Sequence, residues 1–169
     1  MLSLNDCQFV ERNVGLSPTT RKWSEHWSRV PRSQVIIAVA IGVGGSVGAV
    51  ARYMVAQALP SPSGTFPWGT LVINLTGSVV LGFLLVVVME KFPRGRLARP
   101  VLATGIIGAY TTFSTFEVET LLLLRGHHVT IALAYQVASV VAGITLAALG
   151  ASFARLTIRL EGYLQRTSA

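Results

Sequence analysis

Long apolar segments alternate with short polar connections along most of this chain. A transmembrane helix needs about 20 predominantly apolar residues. Four segments qualify: residues 34–59, 68–89, 101–124 and 129–154. The first connection contains residues that break helices, namely Pro60, Pro62 and Gly64. The pattern therefore predicts an all-α membrane protein with four transmembrane helices joined by short loops.

The third apolar segment contains an unusual internal stretch. Residues 108–116 read Gly-Ala-Tyr-Thr-Thr-Phe-Ser-Thr-Phe, which places glycine, hydroxyls and aromatic rings where a lipid-facing helix would be aliphatic. Backbone polar groups within a bilayer must be bonded internally, so an interrupted helix survives only where protein buries it or where it lines a cavity. We predict that this helix is broken, with Gly108 and Thr111 flanking the break. Carbonyl oxygens freed by such a break suit a hard monovalent cation.

Polar side chains recur along one face of the two neighbouring spans. Thr70, Asn74 and Ser78 are spaced by four residues in the second span, and Tyr135 and Ser139 have the same spacing in the fourth. A lone asparagine in a span is more often a hydrogen-bonding clamp between helices than a ligand. Here, however, amide and hydroxyl groups occur on several spans. Such groups present partial positive charge and therefore suit a small anion.

The third span adds hydroxyls, rings and a carboxylate to this set. Thr112, Thr115, Phe116 and Glu119 lie on overlapping faces of the predicted helix. Phe113 and Phe116 are three residues apart, a spacing that is usually core packing. The positive edges of their rings can also face an anion, and the surrounding hydroxyls favour that interpretation.

Composition and charge indicate a membrane protein and predict its orientation. Hydrophobic residues make up 51% of the chain, charged residues 12%, and the mean hydropathy is +0.59, beyond what soluble domains usually show. The formal net charge of +7 does not indicate a nucleic-acid partner, because the basic residues cluster on one side of the predicted bundle. They precede the first span, fill the loop after the second and follow the fourth, whereas Arg125 is the basic residue of the opposite loops. By the positive-inside rule, both termini are predicted to be cytoplasmic.

These patterns divide the chain into three parts. Residues 1–33 form a basic tail that we expect to be cytoplasmic and disordered, residues 34–155 form the transmembrane domain, and residues 156–169 form a short cytoplasmic tail. Two interpretations of the first part stay open: an extension without a role, or one from a misplaced start codon, and a basic arm whose tryptophans lie on anionic lipid. Cys7 is the single cysteine, so one chain can form neither an internal disulfide nor a thiolate metal site.

The first span contains closely spaced small residues and an arginine. Gly44 and Gly48 form a GxxxG spacing, which Gly45 and Ala49 repeat. Small residues allow helices to approach closely, either within one chain or between two copies. Arg52 lies near the end of the span, where it either snorkels to the interface or lines a vestibule that attracts anions. Both pairs of alternatives stay open from the sequence.

Three stretches of the chain resemble the CrcB/Fluc family of fluoride channels. They are residues 45–53 (GSVGAVARY), 66–77 (FPWGTLVINLTG) and 105–119 (GIIGAYTTFSTFEVE), within a likeness that extends over about residues 35–155. The last stretch has the pattern GxxGxxTTFSTFxxE inside a predicted transmembrane helix, which is highly specific. The chain is therefore identified as similar to this family.

The resemblance implies a fold and a set of roles. The expected protein has four helices, forms an antiparallel dimer with two narrow pathways, and passively exports fluoride through the plasma membrane. A structural sodium ion, which is not transported, is expected at the dimer centre on the backbone carbonyls of Gly108 and Thr111. Arg52 is expected at the vestibule and Glu119 near the far end of the pathway. The residues expected along the fluoride pathway are Asn74, Phe113, Phe116, Ser114, Thr115, Tyr135, Ser139 and Thr70.

The charge distribution bears on the identity of the dimer partner. A symmetric antiparallel homodimer must insert in both orientations, which requires a nearly balanced distribution of lysine and arginine, and this chain is strongly biased. Part of the family works as pairs of oppositely oriented homologues. We therefore hypothesise that this chain pairs with a homologue of inverted charge bias, while pairing with itself stays open. The other expected partners are fluoride and membrane lipid, with no nucleic acid.

Other function classes fit the sequence less well. A small four-helix cation or drug antiporter needs a carboxylate deep in its first span, and this first span has none, although Glu117 and Glu119 lie toward the end of the third. A non-conducting subunit of a heterodimeric channel is a further alternative. An enzyme is disfavoured because the sequence shows no nucleophile paired with a base, no cluster of metal ligands and no phosphate-binding loop.

Overall fold

The computed structural model describes residues 31–91 and 97–167, and these form helices joined by short turns. The helices are α1 (Arg32–Ala58), α2 (Trp68–Lys91), a π-helix (Pro100–Ile107), α3 (Gly108–Tyr110), α4 (Phe113–Arg125) and α5 (Val129–Thr167). Within the described residues, α1, α2 and α5 are each long and apolar enough to cross a membrane. The third apolar segment of the sequence is not a continuous span, because it is divided among the π-helix, α3 and α4. The predicted all-α class is confirmed.

The helix bounds differ from the predicted spans mainly at the carboxyl end. The fourth predicted span ends at residue 154, whereas α5 continues as a helix to Thr167, through most of the segment that we assigned to a short tail. Lys91 at the end of α2 forms an ion pair with Glu161 in this continuation. The predicted basic tail lies almost entirely outside the described residues, as does most of the basic loop after α2.

Antiparallel packing of α2 on α5 forms the main helix pair. A Cβ atom on Gly82 would collide with the Ala147 carbonyl, and a Cβ atom on Gly150 would collide with the Val79 carbonyl. The two backbones are therefore in direct contact, as small residues permit in membrane helices. Sequence reasoning did not select these glycines, since neither belongs to a GxxxG spacing and the close contact depends on the facing helix.

The glycines of α1 pack against the π-helix of the same chain. A Cβ atom on Gly44 would lie 2.9 Å from the Val101 carbonyl oxygen, and one on Gly48 would overlap the Ile106 carbonyl. No described residue approaches within 4 Å of the position of a Cβ atom on Gly42. Of the two alternatives for the GxxxG spacing, packing within the chain therefore accounts for Gly44 and Gly48.

The buried core lies where α2, α4 and α5 meet near the first loop. Its buried hydrophobic residues are Leu71, Phe116, Leu123, Ala132 and Tyr135. Elsewhere the helices expose aliphatic side chains: Val43 and Val47 on α1 and Ile144 on α5 are each more than half exposed. Exposed apolar surface along helices of this length is what a lipid environment requires.

Candidate functional site

The third apolar segment is interrupted at two threonines. Thr111 has backbone angles φ −76° and ψ 158°, and Thr112 has φ −145° and ψ 122°, so both are extended between two helical pieces. Gly108 itself is helical, with φ −63° and ψ −32°. The break therefore follows α3 and lies at residues 111 and 112. The π-helix that precedes it was not expected from the sequence, and such irregular helices often occur at functional sites.

The side chain of Asn74 holds the break in place from α2. Its amide nitrogen donates to the Thr112 carbonyl at 3.0 Å, and its amide oxygen accepts from the Thr112 backbone N–H at 2.9 Å. This pair satisfies both polar groups of a backbone unit that no longer belongs to a helix. An amide NH2 carries two N–H donors, and the bond to Thr112 uses one of them. Asn74 is thus the interhelical clamp considered above, and its amide has a second N–H that the bond to Thr112 does not use.

Two backbone N–H groups near the break are diverted from their usual helical partners. In a continuous helix, the N–H of Thr112 would bond the Gly108 carbonyl, and that of Thr115 would bond the Thr111 carbonyl. Here Thr112 donates to Asn74, and Thr115 donates to the Thr112 hydroxyl at 3.2 Å. The carbonyls of Gly108 and Thr111 therefore lose the helical partners that would otherwise occupy them.

The hydroxyls of Ser114 and Thr115 gather around the amino end of α4. The Thr112 hydroxyl is the N-cap of this helix and donates to the Thr115 hydroxyl at 3.0 Å, with the Ser114 hydroxyl 3.3 Å away. Both Ser114 and Thr115 are exposed, and neither lines the cavity described next. The structure thus assigns them capping bonds and separates them from the other residues predicted for a pathway.

A cavity of about 310 Å³ lies beside the break, between α2, α4 and α5. Its lining combines donors with rings and aliphatic groups: Asn74, Gly77, Ser78, Leu81, Thr111, Thr112, Phe113, Phe116, Ser139 and Val140. The ring centroids of Phe113 and Phe116 are 5.9 Å apart. Phe116 is buried with 8% exposure, whereas Phe113 is 74% exposed in the single chain.

Ser139 contributes a buried hydroxyl to this cavity. Its oxygen is inaccessible and has no hydrogen-bond partner among the described residues. An unpartnered polar group in such a place is costly. The hydroxyl is therefore a donor that no described residue uses, on a residue that lines the cavity.

A carboxylate and two hydroxyls meet beyond Phe116. Glu119 accepts a hydrogen bond from the Thr70 hydroxyl at 2.8 Å and, on its other oxygen, one from the Tyr135 hydroxyl at 2.8 Å. The Tyr135 ring is fully buried, and its centroid lies 5.0 Å from that of Phe116. Thr70, Tyr135 and Glu119 therefore form one polar cluster that does not line the cavity, whereas the Phe116 ring lines the cavity and contacts Tyr135.

Comparison with known proteins decides the family. Residues 39–151 match the family described as CrcB-like protein, Camphor Resistance (CrcB), which is well over half of the chain. This chain belongs to the CrcB family. It is therefore a membrane protein, in agreement with its three long apolar helices.

Three curated relatives of this CrcB chain are each described as a fluoride-specific ion channel. This chain is 40% identical over 128 residues to "Fluoride-specific ion channel FluC 2" of Nocardia farcinica, and the alignment covers 76% of this chain and 91% of that protein. It is 38% identical to "Fluoride-specific ion channel FluC 1" of Streptomyces coelicolor, with 76% and 83% covered. The identity to "Fluoride-specific ion channel FluC" of Saccharophagus degradans is 42%, with 70% and 89% covered.

Several residues at the CrcB site were not among the predicted site residues. The backbone of Thr112 forms the hydrogen bonds with the Asn74 side chain. The Ser78 hydroxyl donates to the Asn74 carbonyl at 2.8 Å. A Cβ atom on Gly77 would collide with the Thr111 side chain. The sequence pattern had already placed Ser78 on the polar face with Asn74, and Thr112 among the polar residues of the third span, without giving either a role in the pathway. Arg52 is half-buried on α1 and does not line this cavity, so both of its interpretations stay open.

Proposed function

We propose that this CrcB chain is a subunit of a fluoride-specific channel that lets fluoride leave the cell passively, down its electrochemical gradient. The observation that carries the proposal is the cavity at the break. It joins the spare Asn74 N–H donor, the unpartnered Ser139 hydroxyl and two phenylalanine rings. These groups offer donors and positive ring edges to a small anion. The names of the relatives support fluoride as the ion.

The proposed path runs from the cavity past Phe116 to Glu119. Fluoride sheds water as Asn74 and Ser139 replace its hydration, and then passes the Phe116 ring. The hydroxyls of Thr70 and Tyr135 come next, and each has one hydrogen, which is donated to Glu119 in this structure. An ion that binds either hydroxyl must therefore displace the carboxylate as acceptor. Glu119 acts here as an exchangeable partner that keeps the hydroxyls occupied between ions.

We further propose a structural sodium ion on the backbone carbonyls of Gly108 and Thr111. The residues fit such an ion, because the N–H groups that would occupy these carbonyls in a helix bond elsewhere. Carbonyl oxygens are suitable ligands for a hard cation. Its fixed positive charge would lower the energy of a nearby anion. Two subunits of an antiparallel dimer would share it.

The dimer and the topology belong to the same proposal. The π-helix, α3 and α4 together form the third of four membrane crossings, which leaves both termini cytoplasmic in the plasma membrane. Phe113 is 74% exposed although it lines the cavity, so a second subunit would complete its surroundings. The uneven distribution of basic residues favours an oppositely oriented homologue as that subunit.

Fluoride efflux from proteoliposomes, followed with a fluoride electrode, tests the proposal. We expect efflux without a proton gradient, dependence on sodium, and no chloride flux. Phe113→Ile should slow efflux about tenfold, which corresponds to roughly 1.4 kcal/mol, while the dimer persists on size-exclusion chromatography. Efflux that requires a proton gradient would favour an antiporter instead. No fluoride efflux, alone or with the homologue, would indicate a non-conducting subunit.

A further inference from the structure

A second cavity, of about 360 Å³, lies between the first loop and the turn that joins α4 to α5. The sequence prediction gave this region no role, apart from Glu119. Its lining is rich in small polar groups: Ser61, Pro62, Ser63, Gly64, Thr65, Pro67, Glu119, Leu122, Leu123, Gly126 and His128. Glu119 and His128 are the titratable residues among them. A cavity of this size admits a hydrated ion.

The chain places the His128 imidazole at this cavity by a defined turn. His127 adopts a left-handed conformation with φ 61°. The His128 N–H then donates to the Leu123 carbonyl at 2.9 Å, and its carbonyl accepts from the Ala132 N–H at 3.0 Å, which starts α5. Gly64, with φ 80°, lies against the ring: a Cβ atom there would be 2.8 Å from Nε2. Glycine at position 64 thus lets the first loop and the imidazole approach each other.

The two cavities are lined by neighbouring residues of α4. Phe116 lines the first cavity and Glu119 the second, and these residues are about one turn apart on α4. Glu119 is also the acceptor for Thr70 and Tyr135, so the polar cluster borders the second cavity. The second cavity is therefore the space next to Glu119, where the path proposed above ends.

We propose that the second cavity is a capture site for a small hydrated anion at the mouth of the pathway, and that positive charge on His128 admits the anion. This inference rests on the proposed channel function. Serine hydroxyls at positions 61 and 63 supply donors beside the ring. The charge is needed because the Glu119 carboxylate lines the same space and repels an anion.

The charged and titratable groups around His128 determine how anion capture at this site changes with pH. Residues 59–67 of the first loop and residues 129–134 of α5 contain no titratable side chain, and α5 next supplies Tyr135, which donates to Glu119. On α4, Glu119 lines the cavity, whereas Glu117 and Arg125 do not. His127 and His128 are both exposed, but of the two only His128 lines the cavity. A positive charge on His128 therefore offsets the negative charge of Glu119. Without the His128 charge, the Glu119 carboxylate opposes entry of the anion.

Fluoride efflux at two symmetric pH values tests the capture site. Histidine side chains change charge between about pH 5 and pH 8, so we compare these two values and subtract the leak of protein-free liposomes. Wild-type efflux should be roughly two- to threefold faster at the lower pH, the effect expected of one unit charge a few ångströms from the ion in a wet site. His128→Gln should be slow at both values, and His128→Lys fast at both. His127→Gln, the matched control in the same turn, should behave like wild type.

The results separate this inference from the channel function. Wild-type efflux with a pH profile that His128→Gln leaves unchanged would overturn the capture site and leave the channel intact. Absence of efflux at either pH would overturn the channel. In that case, an NMR titration of the histidine side chains of the purified protein still decides the site. Added fluoride should shift the ring signals of His128 at the lower pH and leave those of His127 unmoved, and His128 signals that fluoride leaves unchanged would overturn the proposal.

Discussion

At the scale of single residues, Asn74 and Ser139 line the same cavity but differ in whether their side chains bond to other described residues. Asn74 makes two bonds to the backbone of Thr112, whereas the Ser139 hydroxyl makes none with the described residues. A residue that stabilises the break should therefore be distinguishable from one that serves a ligand. Stability and transport, measured on the same variants, separate the two roles.

Asn74→Ala should destabilise the protein by about 2 to 4 kcal/mol, because it leaves the N–H and the carbonyl of Thr112 unpaired. Thermal unfolding in detergent measures this loss. Thr145→Ala is the control, because its hydroxyl bonds only a carbonyl of its own helix at an exposed position. Equal unfolding temperatures for the two variants would show that the clamp contributes nothing to stability.

Ser139→Ala should behave differently. Its hydroxyl has no described partner to lose, so the stability should be unchanged or raised by up to about 1 kcal/mol. Fluoride efflux should nevertheless fall about tenfold or more, because a bond to an ion is lost. Ser78→Ala, whose hydroxyl already bonds the Asn74 carbonyl, should lose less efflux. A stable Ser139→Ala variant with normal efflux would remove this hydroxyl from the path.

At the scale of elements, glycines set how closely the interrupted segment approaches its neighbours. Gly44 and Gly48 bring α1 onto the π-helix, while Gly77 on α2 leaves room for the Thr111 side chain. The break is therefore held from two sides: by packing against α1 and by the hydrogen bonds from Asn74 on α2. Its position depends on both contacts.

Gly48→Ala should destabilise the protein by about 1 to 3 kcal/mol, because the new methyl group overlaps the Ile106 carbonyl. Gly42→Ala provides a matched control in the same helix, since no described residue approaches within 4 Å of its added Cβ. Chemical or thermal unfolding of the two variants gives the comparison. If both unfold like wild type, α1 does not rest on the π-helix in the membrane.

At the scale of the whole molecule, the charge distribution predicts one orientation. The basic residues flank the predicted cytoplasmic ends, including Arg155, Arg159 and Arg166 on the continuation of α5. A reporter fused to the carboxyl terminus should be active only in its cytoplasmic form. Equal activity of cytoplasmic and external reporters would mean dual insertion and would exclude the need for an inverted homologue.

Much of this architecture was predictable because membrane helices have a strong sequence signal. The starts of α2 and α5 at Trp68 and Val129 agree with the predicted spans, and the break falls within the stretch selected for its glycine and hydroxyls. The π-helix and the separation of Ser114 and Thr115 from the cavity were not predicted. Both features involve distant contacts: α1 packs on the π-helix, and Asn74 holds the backbone of Thr112, the residue that caps α4.

By itself, the sequence determined that this is an all-α membrane protein of the CrcB family, because apolar length and a dense motif are local properties. Only the tertiary structure decided where the third segment opens and which polar groups remain for a ligand. The physical reason is that the same backbone N–H group has alternative acceptors. Whether the Thr112 N–H bonds its own helix or Asn74, 38 residues away, depends on how the helices pack.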